Sequence, residues 1–126
     1  FKEEDYEKYK NIIPKKYQSY FYSTIFNYII TIKARNQILL NQINLKFLAE
    51  LINDHQFILD NYIKNTPKIM ANMILEANKS GALGSKIVGS GGGGCIVAMV
   101  EKENVSKVIE SFIQNGAVKA YEVKLI

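Results

Sequence analysis

Seven of the eight glycines of this 126-residue chain fall in one stretch, Gly81 to Glu101, which reads GALGSKIVGSGGGGCIVAMVE. Ordering the run Gly91–Gly94 costs more backbone entropy than ordering almost any other tetrapeptide. Something must therefore require bare backbone there. The flanks, Ser85–Val88 and Cys95–Val100, are short, apolar and partly β-branched, and read as strands bounded by glycine. Two strands joined by a loop without side chains form a hairpin whose tip can lie against a ligand, another backbone or a run of phosphates.

The rest of the chain reads as helices around this hairpin. Residues 1–10 are charged and Tyr-bearing, and residues 1–13 stand as an N-terminal extension. Pro14 suits the first position of a helix, where its missing N–H has no partner to lose. From Lys15 to about Leu40 no breaker intervenes, and Tyr17, Tyr20, Phe21, Thr24, Tyr28 and Ile32 recur at three and four, which predicts a long helix with an aromatic inner face. Asn44 is placed to cap a further helix with Leu48, Leu51, Ile52, His55, Leu59 and Tyr62 on one stripe. Thr66-Pro67 opens the next, with the Thr66 hydroxyl as cap and Ile69, Met70, Met73, Ile74 and Ala77 inward, and Gly81 ends it. Beyond the hairpin, Asn104 is placed to cap a helix with Val105, Val108, Ile109, Phe112 and Ile113 inward. Gly116 ends that helix, and Ala120–Ile126 alternates as a strand. The expected class is α+β: a ferredoxin-like split βαβ domain lacking its first strand, with helices packed on one face of a small antiparallel sheet.

Composition excludes several roles. The net charge of +4 is carried by lysines scattered among twelve acids, with Arg35 the single arginine, so no basic stripe for nucleic acid is expected. One cysteine gives neither an internal disulfide nor zinc-ligand spacing, and a reducing, cytoplasmic setting is expected. No apolar run approaches the ~20 residues that span a bilayer, so no membrane partner is expected. The chain opens on Phe1, with no leader pattern, which suggests a processed product, a trimmed chain or a piece of something longer.

Gly89-Ser90-Gly91-Gly92-Gly93-Gly94 formally satisfies G-x-G-x-x-G, but a dinucleotide fingerprint opens a helix and this one opens the strand-like CIVAMV. A Walker A loop needs Lys-Ser/Thr after its last glycine, and that is absent. Spacing alone leaves two readings open: an anion-binding nest of amides, or a structural hairpin packed on a neighbour.

KIVGSGGGGCIVAMV, Lys86–Val100, resembles the third conserved motif of the GHMP kinases, the family of galactokinase, homoserine kinase, mevalonate kinase and phosphomevalonate kinase. Upstream, ELINDHQFILDNYIKNTPKI, Glu50–Ile69, resembles the galactokinase helix whose histidine is followed seven residues later by an aromatic. YIITIKAR, Tyr28–Arg35, resembles a galactokinase helix ending in Glu-x-x-Arg, with Ile32 where the Glu stands. The similarity runs over about residues 12–126 and is greatest to galactokinase. The loop itself, GGGGC rather than GGGFGG, is closer to mevalonate and heptose-phosphate kinases.

The resemblance implies a C-terminal domain whose partner is an N-terminal kinase domain. That partner would hold the Pro-x-x-x-Gly-Leu-x-Ser-Ser phosphate loop and the activating carboxylate, neither of which occurs here. It implies ATP and Mg2+ as cofactors, a sugar or polyol as phosphoryl acceptor, and Gly89, Ser90, Gly91, Gly92, Gly93 and Gly94 lining the cleft near the transferred phosphoryl group. No catalytic residue and no metal ligand is expected in this chain, which by itself is expected to be inert. The competing expectation is a free-standing ferredoxin-like module that binds an anion and regulates a partner. Cys95 is expected at the start of a buried strand, His55 as a hydrogen-bonded core histidine, and Glu50, Asp54 and Asp60 on the outer face of their helix. The Lys86 ammonium has two equal destinations, solvent or nucleotide.

Overall fold

The computed structural model describes residues 3–124. The chain divides between Asn65 and Thr66 into two compact units.

The first unit is helical. Helix α1, Glu3–Tyr9, lays the Tyr6 ring against Phe21 of α2, Gln18–Ile38, with centroids 6.0 Å apart and planes 4° from parallel. Pro14 heads a 3-10 turn, Lys15–Tyr17, that leads into α2. The expected aromatic inner face of α2 holds at Phe21 and is corrected elsewhere: Tyr20 is 53% and Tyr28 44% exposed, and Tyr17, Thr24 and Ile32 are exposed too. The packed side instead holds Ser19, Tyr22, Ser23 and Ile30. Ser19 donates its hydroxyl to the Tyr62 carbonyl at 2.5 Å, and the Phe26 ring meets Tyr62 edge-on at 5.4 Å. Large apolar groups lie all round this helix, so periodicity does not select a side.

Helix α3, Leu45–Ile58, begins as expected, with the Asn44 side chain accepting from the Phe47 N–H at 3.0 Å. Leu51 and Leu59 are buried, and Leu48, Ile52, His55 and Tyr62 are half-buried on the stripe the spacing predicts. The helix runs into a π-helical turn, Leu59–Ile63, closed by the Lys64 N–H on the Leu59 carbonyl at 2.7 Å. Lys64 adopts φ +59°, the left-handed region that β-carbon sterics disfavour.

The second unit carries the hairpin. Helix α4, Lys68–Lys79, starts one residue later than expected: Pro67 is itself the cap residue and no side chain caps the turn. Met70, Met73, Ile74 and Ala77 are buried, whereas Ile69 is exposed. Strand β1, Ala82–Ile87, pairs antiparallel with β2, Ile96–Val100, in a two-stranded sheet. Gly84 stands opposite Met99, Lys86 opposite Val97 and Ile87 opposite Ile96, with a bulge between Ala82 and Gly84. Helix α5, Val105–Gln114, follows a 3-10 turn, Lys102–Asn104. Met73, Ala77, Ala82, Val108 and Phe112 form the core, and Ile96, Ala98 and Val100 pack on it from β2. The Met, Val and Phe side chains of this core, fully buried, contribute about 1.5–3 kcal/mol each.

Asn104 does not cap α5 with its side chain. It lies instead over Gly81, whose φ is +111°; a β-carbon there would come within 2.7 Å of the Asn104 Cγ. Gly116, φ +107°, ends α5 as expected. The α+β class stands, with one correction: residues 117–124 form no strand, and the last two residues of the expected Ala120–Ile126 strand lie outside the described residues. In a split βαβ sheet the final strand bonds to the first. Among the described residues there is no first strand, so the alternation of Tyr121 and Val123 finds no backbone to pair with, and these side chains, like Val118, are exposed.

Candidate functional site

The hairpin is anchored from below. Ile87 and Ser85 are fully buried on the core side of β1, and the Ser85 hydroxyl donates to the Asn78 side-chain oxygen at 2.8 Å, tying the strand to the end of α4. Past the strands, the Val88 N–H donates to the Cys95 carbonyl at 2.9 Å and extends the ladder by one rung. What remains is the loop Gly89–Gly94.

All five glycines of that loop have positive φ: Gly89 +85°, Gly91 +91°, Gly92 +82°, Gly93 +148° and Gly94 +98°. Only glycine adopts such a run without strain. A β-carbon built at Gly89, Gly92, Gly93 or Gly94 would meet nothing within 4 Å. Backbone conformation therefore demands glycine here, not shortage of room among the described residues. The sign of φ alternates across Gly89, Ser90 and Gly91, as it does along anion nests, whereas Gly91 to Gly94 all keep positive φ. All six expected site residues, Gly89, Ser90, Gly91, Gly92, Gly93 and Gly94, thus lie on one turn with open space over most of it.

Between Ala82 and Val100 the only charged residue is Lys86. It sits on the outer face of β1, half-buried, and its ammonium donates to the Ile87 carbonyl. Burial pushes its pKa below the ordinary lysine value. Because Val88 bonds across to β2, the Ile87 carbonyl points the other way, so the ammonium lies at the outer edge of β1 beside the foot of the loop. The signal in the sequence is a single charge in an otherwise neutral hairpin.

Cys95 is exposed, which corrects the expectation of a buried start to β2. Ile96, Ala98 and Val100 take the core-facing register, and alternation turns Cys95 and Val97 outward. His55 and Arg35 belong to the first unit: His55 is half-buried on α3 and Arg35 exposed near the end of α2. Glu50, Asp54 and Asp60 are exposed as expected, Asp60 accepting from the Gln56 amide at 2.9 Å. Among the described residues no group of three or more His, Cys, Asp or Glu side chains is placed to hold a metal ion, and no helix is long and apolar enough to cross a membrane.

The family described as GHMP kinases C terminal matches residues 37–119. A mevalonate kinase of Methanothermobacter thermautotrophicus is 44% identical over 69 residues, 55% of this chain and 22% of that protein. A galactokinase of Clostridium tetani is 37% identical over 68 residues, 53% of this chain and 17% of that protein. A mevalonate kinase of Thermococcus sibiricus is 36% identical over 74 residues, 56% of this chain and 22% of that protein. The matched stretch thus spans about a fifth of the length of these relatives.

Proposed function

From the premise that this chain belongs to the GHMP kinase C-terminal family, we propose that it is the C-terminal lobe of an ATP-dependent kinase that phosphorylates a small-molecule alcohol, with a sugar such as galactose as acceptor. The observation that carries this reading is the open glycine loop, a turn of bare amides with unfilled space above it.

Phosphoryl transfer depends mainly on positioning and on stabilising charge spread over the phosphoryl oxygens. Bound Mg-ATP supplies the phosphoryl group. The residues present fit its phosphate chain in part: the amides of Gly89–Gly94 would donate hydrogen bonds to phosphate oxygens, and Ser90 is the only residue of the loop that carries a side chain. By the resemblance, the base and the principal phosphate cradle would belong to an N-terminal domain, so the chain alone would be inert. The buried Ile87 and Ser85 hold one foot of the loop rigid, which keeps the donors aimed.

A second acceptor, mevalonate, is favoured by the GGGGC string, which lacks the phenylalanine of galactokinase loops, and by the mevalonate kinases among the relatives. Comparing kcat/KM of the intact protein on galactose, mevalonate and heptose phosphates decides between them. Turnover on galactose supports the first reading, turnover on mevalonate the second, and turnover on none of them removes the kinase assignment.

A further inference from the structure

We propose that Lys86 is a ligand of the nucleotide phosphate chain, its ammonium supplying at the foot of the glycine loop the positive charge that the loop lacks. The inference rests on the kinase reading and adds to it a residue outside the loop.

Three observations carry it. The loop has amides but no charge: from Ala82 to Val100 the hairpin contains one ionisable side chain other than the Cys95 thiol, and it is Lys86. Lys86 occupies the second-last position of β1, and its ammonium donates to the carbonyl of Ile87, the last residue of that strand before the loop. An ammonium has three donors and that carbonyl takes one; among the described residues no acidic side chain is paired with it. A structural lysine on a strand edge normally extends into solvent. Holding this one half-buried costs desolvation, which shows in its lowered pKa, and a polyphosphate at the loop would offset that penalty.

In the intact protein, Lys86→Met is expected to lower kcat/KM for Mg-ATP about ten- to a hundredfold, the range set by a hydrogen bond to a charged group. KM for the alcohol acceptor should stay unchanged, and Lys86→Arg should restore most of the loss. Unchanged kcat/KM for Mg-ATP in Lys86→Met overturns the proposal. So does a loss that Arg leaves unrestored and that comes with a fall in Tm, since that marks a purely structural bond to Ile87. If the wild-type protein phosphorylates no alcohol, the kinase reading fails while Lys86 is still decided separately. In that case, calorimetry with inorganic tripolyphosphate should show binding to wild type that weakens at least tenfold in Lys86→Met; equal binding, or none, overturns the proposal. If Lys86→Met does not fold, acetylation of the wild-type protein read by mass spectrometry takes its place: tripolyphosphate should protect Lys86, and equal labelling with and without it overturns the claim.

Discussion

Gly81 and the loop glycines share a sign of φ but answer to different constraints. At Gly81 both backbone and space forbid a side chain, because the Asn104 Cγ stands 2.7 Å from where a β-carbon would go. At Gly116 the nearest atom is the Ile69 Cδ1 at 3.2 Å, the flexible end of an exposed side chain. Gly81→Ala should therefore destabilise the fold by about 1–3 kcal/mol and more than Gly116→Ala does, measured by urea denaturation. An equal effect at both sites would mean that Asn104 yields freely. Lys86 makes a pH-dependent contribution. Its folded pKa lies below the 10.5 of the unfolded chain, so below both values its burial penalty is fully present. Between them the unfolded state binds more protons, and stability rises with pH. Wild type should gain stability relative to Lys86→Met as pH climbs toward 10.5, followed by denaturation at pH 7, 9 and 10. A constant difference would show that burial leaves Lys86 unperturbed.

Among the elements, the hairpin is the one whose chemistry the sequence displays openly. Glycine clustering and flanking β-branched residues locate both strands and the loop to within a few positions. The stripes of α3 and α4 were legible because each has one apolar side, and only Ile69 departs from them. The packed side of α2 was not legible, because aromatic groups surround it and Ser19 and Ser23, not tyrosines, make its close approach. Nor was the fate of residues 117–124: alternation states a preference for strand, and only a neighbouring backbone can realise it. At the hairpin, the position of the six loop residues between the strands could be read off, whereas the exposure of Cys95 and the contact of Lys86 with the Ile87 carbonyl follow from register and ladder alternation, which sequence does not display. Ile87→Ala, which removes the fully buried side chain beneath the loop, should destabilise by about 2–5 kcal/mol in thermal or urea unfolding. A loss under 1 kcal/mol would mean that the hairpin is not anchored by its core face.

For the molecule as a whole, the exposed apolar groups of α2, among them Tyr20, Tyr28, Ile29 and Ile32, fit a lobe that is covered in the intact protein. The isolated chain should self-associate, seen as concentration-dependent mass in sedimentation; a clean monomer would favour an independent anion-binding module instead. The central claim is that the glycine loop takes part in phosphoryl transfer, and turnover of the intact protein with Gly92→Val tests it most directly. Because a β-branched residue at φ +82° is strained whatever the space, Gly92→Val should displace the loop's amides while leaving the helical signal close to wild type, with a loss of turnover of about a hundredfold. Near-normal turnover in a folded Gly92→Val protein would contradict it and take the loop out of the active site.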